Sequence, residues 1–137
     1  MPDDRLPVTN YARATEALKK RTRDFELRII QLVRSLPRSR EARIVGDQLL
    51  RAGTAVGANY RAACRARSLK EFLAKLGVVL EESDESAFWL DLTGAAGIMK
   101  ASRLSALQSE ADELTAIFAA SWWTTKRKLQ ALQKKRS

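Results

Sequence analysis

Residues 45–72 read VGDQLLRAGTAVGANYRAACRARSLKEF, and this stretch decides the fold. Val45, Leu49, Ala52, Val56, Tyr60 and Ala63 recur at steps of four and three, which places them on one face of an α-helix. Ser39 stands just upstream as an N-cap, a side-chain oxygen able to accept from an orphan backbone N–H. Ser68 and Glu71 have the spacing of a capping box, so a further helix is predicted to start near Leu69.

The same period continues in both directions. From about residue 15 to 36 the stripe is Leu18, Phe25, Ile29, Leu32, Val33 and Leu36, and Pro37 ends that helix because it has no N–H to donate. Downstream, Phe72, Leu73, Leu76, Val79, Leu80, Ser83, Ala87 and Leu90 form the third stripe. Gly97 is placed to close this helix in the left-handed conformation, with a turn over 97–102. The last stripe is Leu104, Leu107, Ala111, Leu114, Ile117, Phe118, Ser121, Thr125, Leu129 and Leu132, and its final turns are expected to fray into Lys134, Lys135 and Arg136.

Helices of this length joined by short connections make neighbours antiparallel. The expectation is an all-α protein, an antiparallel up-down-up-down four-helix bundle formed as a single domain over 1–137 with an ordered core of about 12–133. No internal repeat and no alternating strand pattern competes with it.

Composition narrows the chemistry. The lone cysteine, Cys64, has no partner for an internal disulfide and, with no histidine in the chain, no imidazole base to activate it. Residues 1–13 lack the basic-then-apolar order of a signal peptide, and no apolar run approaches the roughly 18 residues a membrane span needs. A cytoplasmic location with no membrane partner follows as the expectation. Neither a Gly-x-Ser-x-Gly turn nor a phosphate loop is present. The acidic run Glu81, Glu82, Asp84 and Glu85 invites a carboxylate-bridged metal, but bundle sites of that kind add Glu-x-x-His pairs. Glu82 or Glu85 is instead expected to pair with an arginine of the second helix, with Glu81 and Asp84 facing water. No cofactor, no metal and no enzymatic activity are expected.

Lys and Arg exceed Asp and Glu by 25 to 16, a net charge of +9, and the pI is near 10.2. Such a balance favours anionic partners: nucleic acid, acidic lipid or an acidic protein. In an alternating bundle the start of the first helix, the second-to-third turn and the end of the fourth helix share one end. They carry Arg13, Lys19, Lys20, Arg21 and Arg23, then Arg61, Arg65, Arg67, Lys70 and Lys75, then Lys126, Arg127 and Lys128 with the basic ending. Glu110, Asp112 and Glu113 are assigned to the opposite end, where the helix dipole favours acids, although Arg38, Arg40 and Arg43 at that end dilute the contrast. A basic pole of this kind is expected to bind RNA or DNA backbone without reading sequence, the alternative being ordinary solubilising charge.

Five further residues concern packing or self-association. Gly53 and Gly57 lie on one face of the second helix, where missing side chains let another helix approach, within the bundle or between subunits. Trp122 and Trp123 are adjacent and point about 100° apart, so they cannot share one core seam. At least one is expected to meet another surface, and Trp89 carries the same ambiguity.

The segment from Leu50 to Arg61, continuing through Arg67, Ser68, Leu69, Lys70, Glu71 and Phe72, resembles the signature of the bacterial four-helix-bundle family that includes ribosomal-RNA intervening-sequence proteins. Lys75, Leu76, Gly77, Glu82, Glu85, Phe88, Trp89, Leu90, Gly97, Glu110, Leu114 and Ile117 continue the resemblance. It implies a small cytoplasmic protein that assembles with itself as a homopentamer. Distant relatives are basic accessory subunits of a reverse transcriptase in diversity-generating retroelements, which adds a reverse transcriptase or another protein as an implied partner. Outside the shared bundle pattern the chain has no match to that branch. Within the motif, Arg51, Asn59, Arg61, Glu82 and Glu85 are the positions where a buried polar network would fix helix register or subunit contacts. A protein-protein scaffold without nucleic-acid binding is the competing reading.

Overall fold

Four helices follow one another in the computed structural model, which describes residues 2–136, with side chains from residue 12 onward. They are α1 (Pro2–Arg34), α2 (Arg40–Cys64), α3 (Leu69–Ala95) and α4 (Ala101–Arg136), with no strand among the described residues. Met1 and Ser137, the outer limits of the expected domain, lie outside the described residues.

Successive helices pack against each other, α4 returns to meet α1 along a thinner seam, and among the described residues the diagonal pairs meet only through side chains, as Tyr60 of α2 does with Phe118 of α4. As numbering rises in one helix it falls in its neighbour: Glu26 and Ile29 oppose Gly57 and Gly53, and Gly77 and Gly94 oppose Trp122 and Leu104. This is the up-down-up-down ring expected from the connections.

The local signals act largely as read. Ser39 Oγ accepts from Ala42 N at 3.2 Å and Ser68 Oγ from Glu71 N at 3.0 Å. Only the serine half of the Ser68–Glu71 capping box is made, because the Glu71 carboxylate faces Arg67 at 3.6 Å. Gly97 has φ +72° and closes α3 in a Schellman arrangement, Ile98 N donating to Thr93 O and Gly97 N to Gly94 O. α1 stops at Arg34, two residues before Leu36, because Ser35 N and Leu36 N tighten onto carbonyls three residues back ahead of Pro37. It begins well before residue 15, since periodicity marks only the part of a helix with a buried face, and Ala12, Arg13 and Ala14 are exposed.

Phe25, Ile29, Leu49, Val56, Leu76, Val79, Leu90, Leu114 and Phe118 are fully buried, and burying one such side chain contributes about 1.5–3 kcal/mol. The Tyr60 ring meets Phe118 at 5.4 Å between centroids. α3 also buries Ser83, Ser86 and Thr93, whose hydroxyls donate to the carbonyls of Leu80, Glu82 and Trp89 and so cost no unsatisfied group. At the far end α4 remains helical to Arg136. Leu132, expected on the inner stripe, is exposed, because α4 has there outrun the α2–α3 turn it would pack against. Among the described residues no helix is long and apolar enough to cross a membrane.

The tightest glycine contacts are those of α2 with α1. A Cβ built on Gly53 would lie 2.8 and 2.9 Å from Ile29 Cγ1 and Cγ2, atoms of a β-branched side chain that cannot swing aside. At Gly77 the nearest atom would be Trp122 Nε1 at an ordinary 3.4 Å. Gly53→Ala is therefore expected to lower stability by about 1–2 kcal/mol despite the better helix propensity of alanine. Gly77→Ala should leave it unchanged or raise it by up to about 1 kcal/mol. Thermal melts followed by circular dichroism distinguish the two, and equal behaviour of both variants would contradict the packing difference.

Candidate nucleic-acid interface

The beginning of the described part of α1, the α2–α3 turn and the C-terminal half of α4 line one cavity of about 720 Å³ at a common end of the bundle. Its wall is largely apolar, with Leu18, Tyr60, Phe72 and Leu76, and Arg67 and Lys128 stand among its lining residues. Three segments distant in sequence thus converge, as their alternating directions require.

A second depression of about 610 Å³ runs between α1 and α2. Lys19, Lys20 and Arg23 come to it from α1, and Arg61 and Arg65 from α2. The Glu16 and Glu26 carboxylates share the groove, and Glu16 pairs with Lys19 at 3.2 Å. Among the described residues, no carboxylate lies within ion-pair distance of Lys20, Arg61 or Arg65.

Arg21 is not part of this groove. Its Nε and Nη2 donate to the two Glu110 oxygens at 2.9 and 2.7 Å, and Nη2 lies 3.4 Å from Glu113. That fork ties α1 to α4. It also places Glu110 and Glu113 at the level of mid-α1, so these acids are not at the opposite end of the bundle as expected. Lys126 stands 5.8 Å from the Trp122 ring centroid, and Arg67 pairs with Glu71. Arg13, Lys70, Lys75 and Arg127 are exposed and line neither cavity.

Arginine hydrogen bonds and burial shift the acids in opposite directions. The Glu110 carboxyl is held below the usual range, first by its hydrogen bonds from Arg21, and its side chain is only 16% exposed. Glu85 is held low by Arg51 in the same way. Glu26 goes the other way: partial burial against α2 pushes its carboxyl up, opposed by the nearby Gly57 and Ala58 N–H groups and the Arg23 charge. Glu26 was missed by motif reading, yet Thr22, Glu26, Ile29 and Val33 continue a helical face at steps of four, three and four. A carboxylate interrupting such a face is the signal that would have found it.

The remaining singled-out residues concern packing. Gly53 receives Ile29, and a Cβ on Gly57 would overlap the Glu26 carboxylate, so both glycines accommodate α1. Trp122 lies over Gly77 of α3, while Trp123, edge-on to it at 5.0 Å, is 57% exposed. Trp89 is half-buried and its Nε1 donates to Glu85 at 3.3 Å, with Phe88 exposed beside it. Arg51 bridges α2 to both Glu82 and Glu85. This is the expected cross-helix pair, but Arg51 is 51% exposed, so it is no buried network. Asn59 turns back to the Ala55 carbonyl and Arg61 points into the basic groove. Among the described residues, no group of three or more His, Cys, Asp or Glu is arranged to hold a metal ion.

A four-helix ring with cations drawn to one end and one inter-helix groove defines a class, the small basic helical bundles. Residues 16–120 match the family of 23S rRNA-intervening sequence proteins, and the chain belongs to that family. It is also similar to a crystal structure of a protein of unknown function from the S23 ribosomal protein family of Bacteroides thetaiotaomicron VPI-5482. The two are 27% identical over 76% of this chain and 96% of that one, with a TM-score of 0.71. No curated protein matches the chain.

Two stability predictions follow from the charges. Arg21→Ala strands a largely covered Glu110 and is expected to cost about 1 kcal/mol at low salt, less at high salt, in thermal melts. For Glu26 the folded-state pKa lies above the ordinary value, so its contribution to stability is full below the carboxylate range and is lost as pH rises through the folded pKa. Glu26→Gln should therefore melt above the wild type at neutral pH, and the gap should close in acid; a gap independent of pH would rule this out.

Proposed function

We propose that this protein is a non-enzymatic, homo-oligomeric bundle of the cytoplasm that binds the phosphate backbone of RNA or DNA without reading its sequence. The observation that carries this reading is the groove in which cations of α1 and α2 converge, with Lys20, Arg61 and Arg65 left without a carboxylate partner among the described residues. Charges that are not spent on the fold are available to phosphates, and a bundle end presenting them has no device for reaching base edges.

Self-association is supported by Phe88 and Trp123, which are 56% and 57% exposed, since aromatic residues are enriched in interfaces. A pentamer is the assembly that the family resemblance implies. The same two aromatics favour a second reading, a scaffold that docks an acidic protein or serves as an accessory subunit, as distant relatives do for a reverse transcriptase.

Fluorescence anisotropy with labelled single-stranded RNA separates the readings. Backbone binding should be present at about 50 mM salt and fall by at least about tenfold near 200 mM, with little preference among sequences. No binding at low salt would remove the nucleic-acid reading, and a partner captured after nuclease treatment would favour the scaffold. Light scattering should return the mass of five chains, and a monomer would defeat the assembly proposal.

A further inference from the structure

We infer that the α1–α2 groove is a clamp for two phosphates about one helical turn apart, walled by two cationic rungs and closed at its inner end by Glu26. The inference deepens the nucleic-acid reading and rests on it for the identity of the strand as ligand.

Register builds the rungs. Ile29 lies against Gly53 and Glu26 against Gly57, so each step of three or four residues back along α1 meets a similar step forward along α2. Arg23 therefore stands about level with Arg61, and Lys19 with Arg65. Each wall carries its two cations at i and i+4, about 6 Å apart along the helix axis. That spacing suits successive phosphates of one strand, or the two phosphates carried on one ribose by a nucleoside 3′,5′-bisphosphate.

The groove's size and chemistry select further. At about 610 Å³ it falls within the usual range for small-ligand sites and admits one strand, whereas a duplex is too wide to enter. The hydroxyls of Thr22 and Thr54 already donate to the carbonyls of Lys19 and Leu50, which leaves recognition to the cations. Glu16, at the outer end, holds Lys19 and is displaced when a phosphate takes its place. Glu26 sits one turn inward of Arg23 with its carboxylate fixed against the bare Cα of Gly57, and its charge repels a third phosphate. The clamp thus has a length of two.

The test uses full-length protein, a fluorescein-labelled oligo-U ten-mer, uridine 3′,5′-bisphosphate and uridine 5′-monophosphate at matched ionic strength. The double variant Arg61→Ala/Arg65→Ala should weaken RNA binding about tenfold or more, and Lys70→Ala/Arg127→Ala, which removes the same charge from the same end, less than about threefold. Arg38→Ala/Arg43→Ala, at the other end, serves as the reference for loss of charge alone. The bisphosphate should compete for the RNA at concentrations where the monophosphate does not, and Glu26→Gln should tighten RNA binding severalfold. Melting curves confirm that each variant is folded, which the exposure of these arginines favours.

Equal losses from the groove and Lys70/Arg127 variants would overturn the clamp and leave the general nucleic-acid reading standing. So would the bisphosphate competing no better than the monophosphate. If the wild type binds the bisphosphate in the groove, with loss in the Arg61/Arg65 variant, but binds no RNA, the clamp holds as a bisphosphate site and the nucleic-acid reading falls. Binding of neither ligand defeats both.

Discussion

Everything on the α1 side of the bundle depends on how near its backbone can come to α2. Gly53 and Gly57 omit two side chains where Ile29 and Glu26 arrive, and the helix propensity given up, about 1 kcal/mol at each position, is returned by contact along the whole seam. The approach fixes the register of the two helices. It also fixes which cations of α1 face which cations of α2, so a packing requirement in the core sets the electrostatics of the surface groove.

The charges divide by what they are spent on. Arg21 and Arg51 carry bidentate or paired bonds across helix seams and belong to the fold. Arg61, Arg65 and Lys20 meet no acid among the described residues and belong to the surface. Net charge does not distinguish the two groups; geometry does, and a uniform count of positive residues at the pole overstates what a phosphate would meet. Glu26 sharpens the same lesson, since one carboxylate held against the α2 backbone changes the length of groove open to an anion.

Much of the fold was legible because its determinants are local. Ser39, Ser68 and Gly97 act within a turn of where they stand, and the stripe from Val45 to Ala63 needs only its own period. Convergence of the basic segments followed from chain direction alone. The fate of Arg21 did not, because it depends on the rotation of α1 relative to α4, a quantity the weak and long stripe of α4 leaves open. Gly53 and Gly57 announced a close approach but not its partner. The position of Glu26 was hidden by the habit of reading carboxylates as solvated, although its place in an otherwise buried face was visible.

The unequal seams give the molecule the mechanics of a bound book. α2 and α3 pack most extensively and form the spine, while α1 and α4 are covers that meet along a thin fore-edge pinned by Arg21. The apolar mouth at the basic end lies in the gap between the covers, with walls on both. The cationic groove lies between spine and cover on the α1 side alone. Swinging α4 outward would therefore change the mouth alone, because α4 lines the mouth and not the groove, whereas moving α1 against α2 would change both.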